Sequence, residues 1–118
     1  MKIEDLPFLI GEQYENWEFE LEILPDRIKG MDSYKYIGKE IHKFLNYIPV
    51  QSELIFDLDI LECVVLVFED ENIFSKLINE LLQFDSLNNH ITLFLRDKNV
   101  NVLYGSAALI KQVKRGSK

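Results

Sequence analysis

Hydrophobic and acidic residues alternate most regularly over Trp17–Leu24, where Trp17, Phe19, Leu21 and Ile23 interleave with Glu18, Glu20 and Glu22. A period of two puts successive side chains on opposite faces of an extended chain. The segment therefore predicts a half-buried strand with an acidic outer ladder. Pro25-Asp26 stops it, and the polar stretch through Gly30 supplies turn chemistry. Alternation resumes over Ser33–Gly38 at Tyr34 and Tyr36, which predicts the second strand of a long hairpin. Beyond Gly38 the period changes. Ile41, Phe44, Leu45 and Ile48 recur at i, i+3, i+4 and i+7, predicting a short amphipathic helix that Pro49 ends.

Glu53–Glu69 combines both kinds of strand pattern. ELIFDLDI alternates, with Leu58 and Ile60 predicted to point inward. CVVLVF is continuously apolar, as in a central strand covered on both faces. Leu61-Glu62 between them predicts a bulge or a tight turn. Ile73, Phe74, Leu77, Ile78, Leu81 and Leu82 then form one wide stripe, giving a helix capped by Asn72. Glu69, Asp70 and Glu71 fall at the positive end of its dipole. Ile91–Arg96 and Val100–Tyr104 predict strands joined around Asp97-Lys98-Asn99. Ser106 is placed to cap a last helix running through Arg115, with Leu109, Ile110 and Val113 inward. The sum is an α+β fold: a mostly antiparallel sheet of about five or six strands with two or three helices packed on it.

With 118 residues, 47% of them apolar, the chain can close one core but not two. It carries no repeat, low-complexity tract or Gly/Ser linker, so one domain over residues 1–118 is expected. Cys63 is the only cysteine and lies within CVVLVF, which excludes an internal disulfide. No apolar run approaches the roughly 20 residues of a membrane span, and Met1–Asp5 lacks the basic start of a leader, so a cytosolic protein is expected. Charge changes this picture most. The net −7 is uneven: Met1–Ser75 holds 17 acids against 6 bases, whereas Lys76–Lys118 holds 3 acids against 7 bases. Such a body repels phosphate backbones and anionic lipids and attracts basic proteins. Negative charge also serves solubility alone.

Candidate chemistry is sparse. The glycines Gly11, Gly30, Gly38, Gly105 and Gly116 are too scattered for a phosphate-cradling loop, and Gly105-Ser106 lacks the second glycine of a nucleophile elbow. His42 is expected on the polar side of its helix and His90 in a loop; neither has a zinc-spaced His or Cys neighbour. No catalytic residue, cofactor or metal ligand is assigned on these grounds. Asp57 and Asp59, at i and i+2 on a predicted strand, would share a face near Glu62. That face reads as solvated, as a partner-binding patch, or as a Mg²⁺ or Mn²⁺ site of a small hydrolase. Glu18, Glu20 and Glu22 either pair with Lys35 and Lys39, or with Arg27 and Lys29, or stand as a ladder offered to Lys and Arg of a partner. Tyr14, Tyr34, Tyr36 and Tyr47 lie close by in sequence, and tyrosine is enriched among interface anchors.

The stretch FLIGEQYENWEFELE (Phe8–Glu22) and the segment LIFDLDILE (Leu54–Glu62) resemble pieces of small acidic immunity proteins of bacterial toxin–immunity systems, including contact-dependent growth inhibition. The resemblance covers size, acidity and the look of these segments. It implies a cytosolic inhibitor that binds a basic cognate toxin domain, often a nuclease, and blocks its active site or substrate groove. Glu18, Glu20, Glu22, Tyr34, Tyr36, Asp57 and Asp59 are the expected binding residues. A structural adaptor that self-associates through a strand edge is the other non-enzymatic reading.

Overall fold

The computed structural model describes residues 6–83, 91–106 and 110. Among the described residues, six strands form one antiparallel sheet in the order β1-β2-β3-β4-β6-β5. They are β1 (Leu21–Leu24), β2 (Asp32–Tyr36), β3 (Gln51–Asp57), β4 (Ile60–Phe68), β5 (Ile91–Arg96) and β6 (Asn99–Gly105). Helix α1 (Phe74–Leu81) lies between β4 and β5, so the chain crosses β6 to reach the sheet edge. The result is the α+β arrangement expected from the sequence.

The continuously apolar run behaves as its pattern requires. β4 is central, and its residues divide by parity between the two faces of the sheet. Val64, Leu66 and Phe68 join Leu54, Phe56, Val100, Val102 and Tyr104, and this first face is closed by Leu6, Phe8, Phe44, Leu77 and Leu81. Cys63 and Val65 join Ile55, Leu103, Ile28 and Ile110 on the second face. The buried Tyr104 hydroxyl donates to the Phe8 carbonyl (2.8 Å) and accepts from the Phe8 N–H (2.9 Å), which pins the N-terminal segment over the first face.

Four local expectations are corrected. Tyr14–Glu20 is a 3-10 helix, and only Leu21–Leu24 of the predicted strand is extended. Three residues per turn bring Tyr14, Trp17 and Glu20 onto the sheet side while Glu15, Asn16, Glu18 and Phe19 face solvent. Trp17 packs on Phe8 and Phe56, and Tyr14 on Phe56 and Tyr34. The helix expected after Gly38 is irregular backbone closed by a tight turn at Leu45-Asn46, both with positive φ, between the bridge partners Phe44 and Tyr47.

The β3–β4 hairpin turns at Leu58-Asp59, again with φ positive at both central residues, a type I′ geometry. Leu58 thus points to solvent rather than inward. The bulge expected at Leu61-Glu62 is present: Ile55 pairs with Cys63 but Phe56 with Leu61, leaving Glu62 as the extra residue. Its carbonyl accepts from Ser106 N–H (3.0 Å). Gly105 makes that approach possible, because its φ is +132° and a Cβ there would strike the Glu62 carbonyl.

The helical cap shifts from Asn72 to Asp70, whose carboxylate accepts from the Asn72 N–H (2.9 Å) ahead of a 3-10 turn leading into α1. Leu77 and Leu81 of the predicted stripe are buried, whereas Leu82 is exposed. β5 spans the residues its pattern predicts, and β6 extends one residue beyond each end of the predicted Val100–Tyr104. Of the last predicted helix, only Ser106 and Ile110 are described, and Ile110 N–H donates to the Ser106 carbonyl (2.9 Å), one helical turn. Its remainder lies outside the described residues, as does His90.

Candidate functional site

The seven acids and tyrosines singled out by sequence do not share one face. They occupy three places, set by the 3-10 helix, the short β1 strand and the hairpin turn. Glu20 turns inward and accepts from the Tyr36 hydroxyl (3.0 Å). Gly38 lets this pair close, since a Cβ there would collide with the Glu20 carboxylate and the Tyr36 ring. Burial first, then the Glu20 hydrogen bond and charge, push the Tyr36 hydroxyl above its ordinary pKa.

Tyr34 lies one pleat away on the same face of β2, against the rings of Tyr14 and Phe56. Burial raises its pKa as well, followed by Tyr14 and by the negative charges of Asp32 and Asp59. Asp59 is tied to the same arm through its backbone, since its carbonyl accepts from Tyr14 N–H (2.8 Å). Asp57 ends β3 and Asp59 belongs to the turn, so the shared strand face expected for them does not form. The Glu62 bulge separates the third acid further. Among the described residues, no group of three His, Cys, Asp or Glu side chains is placed to hold a metal ion.

Glu18 is exposed on the outer side of the 3-10 helix, while Glu22 faces the opposite side of the sheet from Tyr34 and Tyr36. There Glu22, Lys35 and Glu53 form one cross-strand row, each opposite the next in register. Glu53 is buried on a central strand, and Arg27 from the β1–β2 connection reaches it, with Nε 2.6 Å from its carboxylate. Lys35 is thus the cross-strand neighbour of Glu22, and Arg27 forms its ion pair with Glu53, an acid outside the expected ladder. Glu53 had no signal distinguishing it from the apolar residues around it.

Three features escaped sequence reasoning. Phe19 is 93% exposed, Ile23 73% and Leu58 90%, although each was expected to face inward. Phe19 stands between Glu18 and Glu20, Ile23 follows Glu22, and Leu58 stands between Asp57 and Asp59. Register places the Leu58 turn just beyond Phe56, which pairs with Asp32, at the end of the sheet where β1 also finishes. Ile23 lies opposite Tyr34 in the neighbouring strand.

His42 is the fourth surprise. It leaves the expected polar helix face and packs between the rings of Phe8 (4.3 Å) and Tyr36 (4.8 Å). Its Nδ1 is 3.0 Å from the Pro7 carbonyl, an acceptor only, so Nδ1 carries the proton. Nε2 is buried without a hydrogen-bond partner, 3.7 Å from the Glu40 carboxylate. Beside it, a cavity of about 200 Å³ is lined by Tyr36, Glu40, His42, Ile48 and Gln51, among others.

No helix among the described residues is long and apolar enough to cross a membrane. No protein-family model matches the chain, and no curated protein or solved structure matches it.

Proposed function

We propose that the chain is an acidic binding module for a basic protein, and that it acts as an immunity protein that occludes a cognate toxin domain. One observation carries this reading: among the described residues, the most exposed large apolar side chains, Phe19, Ile23 and Leu58, each stand next to at least one acid in the chain. Apolar groups that a fold does not bury, set among charges of one sign, suit a surface that attracts an oppositely charged partner and then excludes water. Tyr34, beside Ile23 and under the influence of Asp32 and Asp59, supplies an amphipathic anchor at the same end of the sheet. Glu20 and Tyr36 serve this face by holding the 3-10 helix to β2, and Glu18, Asp57 and Asp59 supply its charge, with Glu22 on the other face of the β1 edge.

The test is direct binding to a basic toxin domain encoded beside the gene, with affinity measured across a salt series. Affinity should fall steeply with salt, and replacing Glu18, Asp57 and Asp59 together by amides should flatten that slope. Salt-independent binding, or a slope that survives the triple substitution, removes the proposal.

A further inference from the structure

β1 is an edge strand: among the described residues it pairs with β2 alone. Which of its backbone groups are free follows from one hydrogen bond. Ile37 N–H donates to the Glu20 carbonyl (2.7 Å), which makes Glu20 and Ile37 a hydrogen-bonded pair of the antiparallel ladder. Such pairs alternate with non-bonded ones. Glu22 with Lys35 and Leu24 with Ser33 are then bonded, whereas Leu21 and Ile23 direct their N–H and C=O groups away from β2. The row ends at Pro25, which lacks an N–H.

Exposed edges are usually blunted by lysine, proline or a covering segment. Here the outward groups stand on either side of Glu22, and Ile23 holds its side chain largely in solvent. An acid at this position discourages pairing with a second copy of β1, which would set Glu22 near its own counterpart, and favours a strand bearing lysine or arginine. We infer that β1 accepts an extended, basic segment of the partner, which pairs with the outward backbone groups of Leu21 and Ile23 and adds a seventh strand to the sheet. The inference rests on the binding-module reading and specifies its mode. Backbone pairing supplies affinity, and Glu22 with the exposed Phe19 and Ile23 selects alternating basic and apolar side chains.

A blocked peptide of about ten alternating lysine and valine residues, long enough for one strand, serves as probe. At saturation it should slow amide hydrogen exchange at Leu21 and Ile23 by about tenfold or more. Ile23→Pro removes an outward donor without touching a ladder bond to β2, as proline on an edge strand permits. It should weaken peptide binding about tenfold with the melting temperature little changed, whereas Ile23→Thr should keep most of the affinity.

Salt-sensitive binding that leaves the Leu21 and Ile23 amides unprotected, or that Ile23→Pro does not weaken, overturns edge pairing while the acidic-module reading stands. Protection of these amides by self-association, seen as a concentration-dependent mass without peptide, overturns the choice of occupant. Absence of peptide binding overturns the inference, and the separate salt series with the basic toxin domain then decides the broader reading. Should Ile23→Pro fail to fold, the exchange measurement on the unaltered chain decides alone.

Discussion

The β3–β4 hairpin and the arm from Tyr14 to Tyr36 are built from similar raw material, alternating apolar and acidic residues, yet they fold by different rules. In the hairpin, Leu54, Ile55 and Phe56 are all buried because both faces of a central strand are covered. In the arm, only one residue in three is drawn toward the sheet over Tyr14–Glu20, and Phe19 is left outside. Neighbours decide between the two outcomes. A central strand has a ladder on each side to hold it extended; the arm begins at a sheet edge, where the 3-10 helix satisfies backbone groups that a ladder would otherwise pair.

The largest test of this contrast compares two phenylalanines. Phe56 lies beneath the rings of Tyr14, Trp17 and Tyr34, with centroids 5.6–6.1 Å away. Phe56→Ala should cost about 3–5 kcal/mol by urea denaturation and loosen the arm with it. Phe19→Ala should change stability by no more than about 0.5 kcal/mol. A comparable loss from both would mean that Phe19 is buried in solution.

Legibility followed the same division. The existence and type of β3, β4, α1, β5 and β6 could be read because their apolar residues repeat with one period and meet a covered face. The arm misled because Tyr14, Trp17 and Glu20 carry a period of three beneath the period of two formed by Trp17, Phe19, Leu21 and Ile23. Turns misled for a second reason. Leu45-Asn46 and Leu58-Asp59 place leucine at a positive-φ position that asparagine or glycine would normally mark, so neither announces itself. The candidate site was legible as a composition, acids with tyrosines, but not as a geometry. Its charges could be counted, whereas the division between Glu20, turned in on Tyr36, and Glu18, left in solvent, depends on the helix that the alternation concealed.

Arg27 probes how the arm is tied to the hairpin. Its guanidinium reaches the Glu53 carboxylate, 3% exposed on β3, from a side chain that is itself 31% exposed. Arg27→Ala should cost about 2 kcal/mol, less than the ~3–5 kcal/mol of a wholly buried pair because water screens the arginine. Replacing both partners, Arg27→Met with Glu53→Leu, should recover most of the loss, since no buried charge then remains. Failure of the double variant to recover would mean that the pair fixes register between β2 and β3 as well as neutralising Glu53.

Cys63 reports on the hairpin's second face through pH. Burial, with the nearby Glu53 charge adding to it, pushes the thiol up to about 12. The unfolded thiol ionises near 9, so above that pH the unfolded chain releases a proton that the native state retains. Stability is therefore complete below about pH 8 and falls above about pH 9, by at most about 1.4 kcal/mol per pH unit. Cys63→Ala should remove the part of this slope that sets in between about pH 8 and 9, ahead of Tyr34, Tyr36 and Tyr104, whose hydroxyls are also raised by burial and add to the slope as pH nears their ordinary 10.0. An unchanged slope would assign the effect to another group.

The smallest effect tests whether an exposed apolar residue in the hairpin is there for the fold. Leu58 occupies the first central position of a type I′ turn at φ +49°, where a leucine Cβ is strained and asparagine is favoured. It buries almost nothing in return. Leu58→Asn should therefore stabilise the protein by about 0.5–1 kcal/mol, a rise in melting temperature of a few degrees for a chain of this size. On the proposed binding surface the same change should act in the opposite direction, because it removes an apolar contact held between Asp57 and Asp59. A more stable variant that binds the basic partner less tightly would show that the leucine is kept at the expense of stability for recognition. A more stable variant with undiminished affinity would remove the hairpin tip from the surface and leave the β1 arm as its whole extent.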